Sequence, residues 1–173
     1  MKLNIIGAGG HGKVVADAVQ AAGLGDTDGF IVAIGDNEVR ACEYAQAAAR
    51  GQRPITVIHP TATVSPTATI GDGAYIGAEA IINPCARVGD NAIINTRATV
   101  EHDCVVADHA FVGPHAVMLG ESQLGVGALL GASATLGIGL TVGAWARIGE
   151  GAVVKQDIPS RATAVGVPAK VCD

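Results

Sequence analysis

The sequence is poor in aromatic residues and in charge, and both deficits restrict the kind of protein it can encode. Only 3% of its 173 residues are aromatic and 16% are charged, although 49% are hydrophobic. Because large side chains ordinarily fill a globular core, a core supplied mainly by alanine, valine and isoleucine must be narrow. The net charge of −5 argues against nucleic acid or an anionic membrane as the main partner.

The chain also lacks paired cysteine motifs and long apolar runs. Its four cysteines have no CxxC spacing, which favours reduced thiols in a cytoplasmic protein over a zinc site. No apolar stretch approaches the roughly 20 residues of a membrane span. The first residues enter glycine-rich sequence without the apolar region and cleavage pattern of a signal peptide. We therefore expect a cytoplasmic protein with no membrane partner.

What the chain does contain is a repeat of six residues. From Val64 to Val154 an aliphatic residue falls at every sixth position, sixteen times without a change of register. A small residue stands two positions earlier, and in thirteen cases it is alanine; the exceptions are Cys104, Ser122 and Leu140. Glycine often follows the aliphatic residue, and we predict a sharp corner with positive φ at these glycines.

A period of six fits neither an α-helix nor a single ordinary strand, but it fits a parallel β-helix of short strands. Three hexads make a coil of eighteen residues, so the repeat predicts about five coils with equivalent residues stacked. Alanine fills the narrow interior, so any catalytic site must lie on the outer surface of the prism. Leu140 predicts a local widening of the interior, and Trp145 is placed in the exposed middle of a hexad.

The first sixty residues lack this period and predict a different domain. The expected elements are a strand at Leu3 to Ile6, a helix with Val14, Val15, Ala18 and Val19 on one face, a strand at Phe30 to Ile34, a helix capped by Asn37, and a strand at Ile55 to Ile58. This alternation indicates a small parallel sheet of Rossmann type over residues 1–59, followed by a β-helix domain over residues 60–173.

The turn GAGGHG after the first strand places Gly7, Gly9 and Gly12 at the spacing of a dinucleotide fingerprint. Such a loop lets backbone N–H groups approach a phosphate at the positive end of a helix. No acidic residue ends a second strand at the distance a redox dinucleotide requires, so we reject that cofactor. His11 would suit a sugar or a phosphate, and a tight turn without a ligand is the alternative.

Four segments occur in order: GAGGHGKVV, VAIGDN, NTRATVEHDC and VGVPAK. Together they span essentially the whole chain and resemble the sugar acetyltransferases of the PglD type (nucleotide-amino-sugar N-acetyltransferases) and the NeuD type (sialic acid O-acetyltransferases). The resemblance implies an α/β Rossmann-like N-terminal domain, truncated here, before an all-β left-handed parallel β-helix. It further implies a homotrimer, a nucleotide sugar bound by the N-terminal domain, and acetyl-CoA in the groove between neighbouring prisms, without a metal.

The resemblance also assigns roles to individual residues. It places the general base at His102 with Asp103 beside it. Its sugar-nucleotide and substrate positions match Gly9, Gly10, His11, Gly35 and Asn95. Its acetyl-CoA contacts match Gly120 and Ala132, mainly through backbone, and Lys170, which would meet phosphates.

Two departures from the family pattern stand out. Only the segment from Gly23 to Gly29 occupies the place of a second strand that ends in an acidic pair in the family. Phe111 stands where many relatives carry a histidine near acetyl-CoA, and either His109 or His115 is a candidate replacement.

The repeat itself points to the same site, since Glu101, His102 and Asp103 form a charged interruption of an alanine-rich coil. A histidine can accept the proton of an attacking amine or hydroxyl, and a neighbouring carboxylate can fix its tautomer. No covalent acyl-enzyme is needed, and Cys104 occupies an inward position of the core.

The predicted function is acetyl-CoA-dependent N-acetylation of a nucleotide-linked 4-amino sugar in surface-glycan biosynthesis, by direct transfer. Three alternatives stay open. The first is sugar O-acetylation of the sialic acid type. The second is a zinc enzyme similar to γ-carbonic anhydrases, using His102, His109 and His115. The third is a non-catalytic trimeric sugar-binding protein.

Overall fold

A computed structural model describes residues 2–172 of the chain. Its N-terminal part holds a two-stranded parallel sheet, β1 (Asn4–Ile6) and β2 (Phe30–Val32). Each strand leads into a helix, α1 (Gly10–Ala21) and α2 (Asn37–Ala49). Neither these helices nor any other in the described residues has the length and hydropathy needed to cross a membrane.

The rest of the chain is a parallel β-helix of two-residue strands. The strands β3 to β19 are Val57–Ile58, Thr63–Val64, Thr69–Ile70, Tyr75–Ile76, Ile81–Ile82, Arg87–Val88, Ile93–Ile94, Thr99–Val100, Val105–Val106, Phe111–Val112, Val117–Met118, Gln123–Leu124, Leu129–Leu130, Thr135–Leu136, Thr141–Val142, Arg147–Ile148 and Val153–Val154. An antiparallel pair, β20 (Thr163–Val165) and β21 (Lys170–Val171), closes the chain.

The strands stack into three faces of a prism. Face I contains β3, β6, β9, β12, β15 and β18; face II contains β4, β7, β10, β13, β16 and β19; face III contains β5, β8, β11, β14 and β17. Thr99 pairs with Ile81 below and Val117 above, so neighbouring coils are offset by eighteen residues. This register confirms the coil length that the repeat predicts. Each corner is named here by the two faces it joins.

The interior is as narrow as the alanine pattern predicts. Ala98 and Val100 are fully buried, as are nearly all their equivalents in the other coils. Leu140, the one large residue in the alanine series, is only partly buried against this core. It lies at the rim of an external groove, so the local widening predicted for the interior is really a feature of the surface.

The corners are formed differently from the prediction. Positive φ occurs at the third residue after each aliphatic position from Ile70 to Ile148, for example at Asp103 (60°), His109 (59°) and Trp145 (60°). The glycine directly after the aliphatic residue serves close packing instead: a Cβ on Gly113 would lie 2.7 Å from the backbone nitrogen of Ala132. Trp145 therefore occupies a corner and not the middle of a hexad.

The N-terminal part covers face I. Tyr75 and Ile93, outward residues of this face, are buried in one cluster with Val15 and Val57. Val14 does not share the buried face of Val15, Ala18 and Val19 that the sequence predicts for it, since it is 43% exposed.

The predicted third strand of the small sheet mostly belongs to the prism. Pro54 forms a single bridge to Phe30 in β2, and then β3 pairs with β6 on face I. Because residues 54–58 contribute to both sheets, the domain division at residue 59 stays a prediction.

Two polar residues of α2 fasten it to corner III/I. Asp36, not Asn37, caps the helix by accepting from the amides of Glu38 and Val39. Asn37 is buried and donates to the carbonyl of Gly127 at 3.0 Å. Arg40 is fully buried and donates to the carbonyls of Ile34, Asn91, His109 and Ala110 and to Asn37 Oδ1.

Candidate active site

His102 and Asp103 lie together at corner II/III, between β10 and β11. His102 Nδ1 is 2.8 Å from Asp103 Oδ2, and both side chains are more than half exposed. The positive φ of Asp103 turns its carboxylate back toward the preceding imidazole. The pairing leaves Nε2 of His102 as the nitrogen available to a substrate.

Gly120 lies one coil above His102 and makes room for its ring. A Cβ on Gly120 would lie 2.7 Å from both Cε1 and Nε2 of His102. The backbone of the next residue, Glu121, donates to the carbonyl of His102 at 3.0 Å. The absence of a side chain at Gly120 therefore keeps the outer nitrogen of His102 accessible.

The surroundings of His102 favour its protonated form. The hydrogen bond to Asp103 raises the pKa of His102 above its ordinary value, and the charges of Asp103, Glu101 and Glu121 act in the same direction. A higher pKa makes the neutral imidazole a stronger proton acceptor. At the same time, as the pH falls, His102 becomes protonated, and so stops acting as a base, at a higher pH than an ordinary histidine would.

The other two prism histidines that were candidates lie on different corners. His109 is at corner III/I, where its Nδ1 is 2.9 Å from Asn91 Nδ2 and its carbonyl accepts from Arg40. Burial lowers the pKa of His109. His115 is exposed at corner I/II. The three histidines do not converge within one chain, and residues 2–172 contain no cluster of three His, Cys, Asp or Glu side chains suited to a metal ion.

The predicted sugar-nucleotide residues assemble at the carboxyl ends of β1 and β2. Gly9, Gly10 and Gly35 all face open space, since a Cβ at any of them would meet nothing within 4 Å. The N-terminus of α1 has no side-chain cap and no acidic residue in its first turn. Its free N–H groups and positive dipole end suit an anion.

His11 points the other way, into the junction with the prism. Its ring packs edge-on against Tyr75 at a centroid distance of 5.3 Å and lies 6.4 Å from Phe111. Burial, aided by the charge of Arg40, lowers the pKa of His11 to about 4. Its buried Nε2 has no hydrogen-bond partner within the described part of the chain.

The remaining predicted residues lie at two further places. Asn95 and Ala132 share corner I/II, two coils apart, and Asn95 Oδ1 accepts from the amide of Thr96 at 2.8 Å. Lys170 is exposed on β21 at the end of face I. In one chain the His102 corner is opposite face I, so it does not meet the glycine loop that lies on that face.

An apolar groove of about 530 Å³ rises along face II above His102. Its lining includes Leu119, Ile138, Leu140, Val153 and Lys155. The residue-level prediction missed this groove, although three irregularities of the repeat indicated it. Leu119 replaces a glycine, Leu140 replaces an alanine, and Ile138 is a corner residue that is 71% exposed.

Comparison with known proteins agrees with both parts of this fold. Residues 85–120 match the family model of the bacterial transferase hexapeptide (six repeats), and residues 2–27 match the PglD N-terminal domain. Among curated protein sequences, none matches the chain significantly.

Solved structures match over nearly the whole chain. PerB from Caulobacter crescentus, in complex with CoA and GDP-perosamine, is 35% identical; the match covers 100% of this chain and 98% of that one, with a TM-score of 0.96. A histidine-to-alanine mutant of GDP-perosamine N-acetyl transferase from the same organism, with the same two ligands, is 34% identical over 100% and 97%, also at 0.96.

The acetyltransferase domain of PglB from Neisseria gonorrhoeae, in complex with acetyl coenzyme A, is 35% identical; the match covers 99% of this chain and 98% of that one, with a TM-score of 0.95. Identity above 30% over complete chains, together with the matching fold, confirms the resemblance carried by the four sequence segments. The chain therefore belongs to the PglD/NeuD-type sugar acetyltransferases, a family of acyltransferases with a left-handed parallel β-helix and hexapeptide repeats.

Proposed function

We propose that the chain transfers the acetyl group of acetyl-CoA to the amino group of a nucleotide-linked amino sugar, with His102 as general base. The observation that carries the proposal is the exposed His102–Asp103 pair, in which Nδ1 is held at 2.8 Å and Nε2 stays open over Gly120. The similarity to an N-acetyltransferase crystallised with CoA and a GDP-linked sugar supports nitrogen as the acceptor atom.

The chemistry asks little of the protein beyond this pair. The sugar amine attacks the thioester carbonyl, the C–N bond forms, and the C–S bond breaks. Nε2 of His102 accepts the proton that the amine loses and returns it to the departing thiolate. Asp103 keeps the second ring nitrogen protonated and stabilises the imidazolium that forms, as the acidic residue does in a catalytic triad.

Two thiols lie near His102, and direct transfer requires that neither of them accepts the acetyl group. Cys104 is buried, and its Sγ contacts the carbonyl of Leu119 at 3.2 Å, so it cannot reach a thioester outside the prism. Cys85 is exposed at the same corner, one coil below Asp103. Replacing Cys85 by Ser should leave turnover unchanged, whereas a covalent acyl-enzyme on this thiol would make the variant inactive.

A complete site requires a second copy of the chain. The glycine loop lies on face I, and His102 lies at the opposite corner of the same prism, so a sugar bound at the loop of one copy must meet His102 of another. Face II, bounded by the corners of His102 and Asn95, is free of charged outward residues on its strands: Thr63, Ile81, Thr99, Val117, Thr135 and Val153. We propose a homotrimer that packs through this face. Light scattering that finds a monomer at micromolar concentration would contradict the shared site.

The groove above His102 is the proposed seat of acetyl-CoA. Its apolar lining suits the pantetheine arm, and Lys155 at its upper end offers a cation to phosphate oxygens. Gly120, which borders His102, and Ala132, which lies on the other corner of face II, would both flank a groove built between two packed prisms. Lys170 would add a second cation at the end of face I.

The deciding experiment is a thiol-release assay with acetyl-CoA and a panel of acceptors. The panel contains GDP-, UDP- and dTDP-linked 4-amino sugars, the matching 4-hydroxy sugars, and free sialic acid. Release with the amino sugars alone supports N-acetylation, and release with hydroxy sugars or sialic acid supports the O-acetyltransferase alternative. If CoA binds but no acceptor yields thiol, the non-catalytic sugar-binding alternative stands instead.

A further inference from the structure

A small cavity of about 120 Å³ lies where the N-terminus of α2 meets corner III/I. It is lined by Asp36 and Glu38 from the N-terminal part and by Leu129, Trp145 and Arg147 from the prism. A whole small-molecule ligand needs roughly 300 Å³ or more, so this cavity has room for one ring system of a larger ligand. None of the catalytic steps assigned above uses these residues.

The cavity has a flat aromatic wall with a constrained position. Trp145 adopts a positive φ of 60°, which is unusual for a bulky residue. Its indole lies against Gly127, one coil below, where any Cβ would collide with the ring. Asn37 holds this corner to α2 by donating to the carbonyl of Gly127. A rigid, partly exposed indole is a suitable surface for stacking a heteroaromatic ring.

The rim of the cavity carries unused polar groups of both kinds. Asp36 caps α2 through Oδ1 alone, and its Oδ2 has no hydrogen-bond partner within residues 2–172. Across the same range, neither Glu38 nor Arg147 forms an ion pair. The cavity therefore offers carboxylate acceptors at the helix side and a guanidinium donor at the prism side.

The cavity and the glycine loop both lie along face I. Phe111, which lies 6.4 Å from the ring of His11, pairs with Leu129, and Leu129 pairs with Arg147. Two strand spacings correspond to roughly 10 Å along face I. A ligand with its phosphates at the N-terminus of α1 would therefore bring its base close to Trp145.

We propose that this cavity binds the base of the nucleotide-linked sugar and that its lining selects guanine. Guanine stacks on Trp145, presents N1–H and its 2-amino group to the carboxylates, and presents O6 and N7 to Arg147. Uracil and thymine have a single imide N–H between two carbonyl oxygens, which the carboxylates repel. Adenine has an acceptor at N1 where guanine has a donor. The inference rests on the proposed function, since it names the nucleotide of that substrate.

The test uses the chain's own reporter, because Trp145 is the only tryptophan in the sequence. Titration of the intact protein with GDP should quench its fluorescence, with a dissociation constant at least ten times lower than for UDP, dTDP or ADP. Arg147→Ala and Glu38→Gln should each weaken GDP binding about tenfold or more. The matched control is Arg87→Ala, which removes an exposed arginine of face III and should leave GDP affinity unchanged.

Equal affinity for GDP and UDP, or GDP binding unaffected by Arg147→Ala, would overturn the guanine site. Quenching by CoA that competes with GDP would assign the cavity to the adenine of CoA instead, which also overturns it. The acetyl-transfer assay separates this inference from the proposed function. If UDP-linked amino sugars are acetylated while the fluorescence of Trp145 does not change, the guanine site is rejected and the proposed function stands. If GDP quenches Trp145 but no acceptor is acetylated, the proposed function is rejected and the guanine site stands.

Discussion

Corners II/III and III/I are built on the same repeat, yet they treat their histidines in opposite ways. His102 is exposed beside Asp103, and the pKa of its imidazole is raised. His109, seven residues later, is packed beneath α2 near Arg40, and the pKa of its imidazole is lowered. The first corner has an ion pair facing solvent, and the second has a buried network of carbonyls, amides and one guanidinium. The repeat supplies equivalent backbone positions, while the neighbouring elements decide whether a histidine acts as a base or as a packed structural group.

The largest effect should come from exchanging each histidine for alanine in turn. His102→Ala should lower kcat by roughly 10²–10⁴-fold with little change in CoA affinity, as expected when a general base is lost. His109→Ala should lower the melting temperature and leave kcat within a few-fold of the original value. Steady-state kinetics and thermal melts on the two variants decide the matter. If His109→Ala loses turnover and His102→Ala loses only thermal stability, the general base is His109 and our assignment is wrong.

Arg40→Ala should be the most destabilising single change at corner III/I. It removes every hydrogen bond of a fully buried guanidinium and leaves a cavity between α2 and the prism. We expect a loss of roughly 2–4 kcal/mol in the free energy of unfolding, measured by denaturant titration. Arg87→Ala, an exposed arginine of face III, serves as the control and should change stability by less than about 0.5 kcal/mol. Equal stability of the two variants would show that Arg40 does not hold the N-terminal part in place.

Gly120→Ala should weaken catalysis at corner II/III without unfolding it. The added methyl would lie 2.7 Å from Cε1 and Nε2 of His102, so the ring must move. Because φ at Gly120 is not positive, the backbone itself accepts alanine. Displacement of a base by a fraction of an ångström to 1 Å can reduce turnover by up to about 10²-fold, and we expect a drop of roughly 10–10²-fold in kcat. An unchanged kcat would mean that the ring adopts another orientation during turnover.

The smallest expected effect is a shift of the pH profile in Asp103→Asn. The base must be neutral, so kcat/KM should rise with pH through the pKa of His102, which the hydrogen bond to Asp103 raises. Removing the carboxylate charge lowers that pKa, and the acidic limb of the profile should move to lower pH while the plateau falls. If the acidic limb stays at the same pH in Asp103→Asn, that limb reports the titration of a group other than His102.

Some of these features could be predicted from sequence because they are local or periodic. The hexad pattern located sixteen of the seventeen prism strands, β4 to β19, and Glu101-His102-Asp103 marked the proposed catalytic corner because its members are adjacent in the chain. Arg40 was missed because its sequence context is that of an exposed helical residue. Its partners Asn91 and His109 lie 51 and 69 residues away. The cavity at Trp145 was missed for the same reason, since it joins residues separated by more than 100 positions.

The turn geometry could not be predicted from sequence because a glycine can be required either for positive φ or for close packing, and the sequence does not distinguish the two. In the corners, positive φ falls on residues such as Asp103 and His109, and the glycines are required where the next coil approaches too closely for a Cβ. Asp36 and Asn37 show a similar ambiguity. Both residue types can cap a helix, and only the contact of Asn37 with Gly127 in the prism decides which one does.

The offset of eighteen residues between stacked coils has a consequence for how this protein can change length. Inserting or deleting one whole coil leaves every other side chain on its own face and at its own corner, whereas a change of six residues rotates everything beyond it by one face. A coil added between Gly120 and the β20–β21 hairpin would lengthen the apolar groove by about 5 Å and move Lys170 away from His102 by the same step. The number of coils above Gly120 therefore sets the length of the co-substrate arm that the site can span.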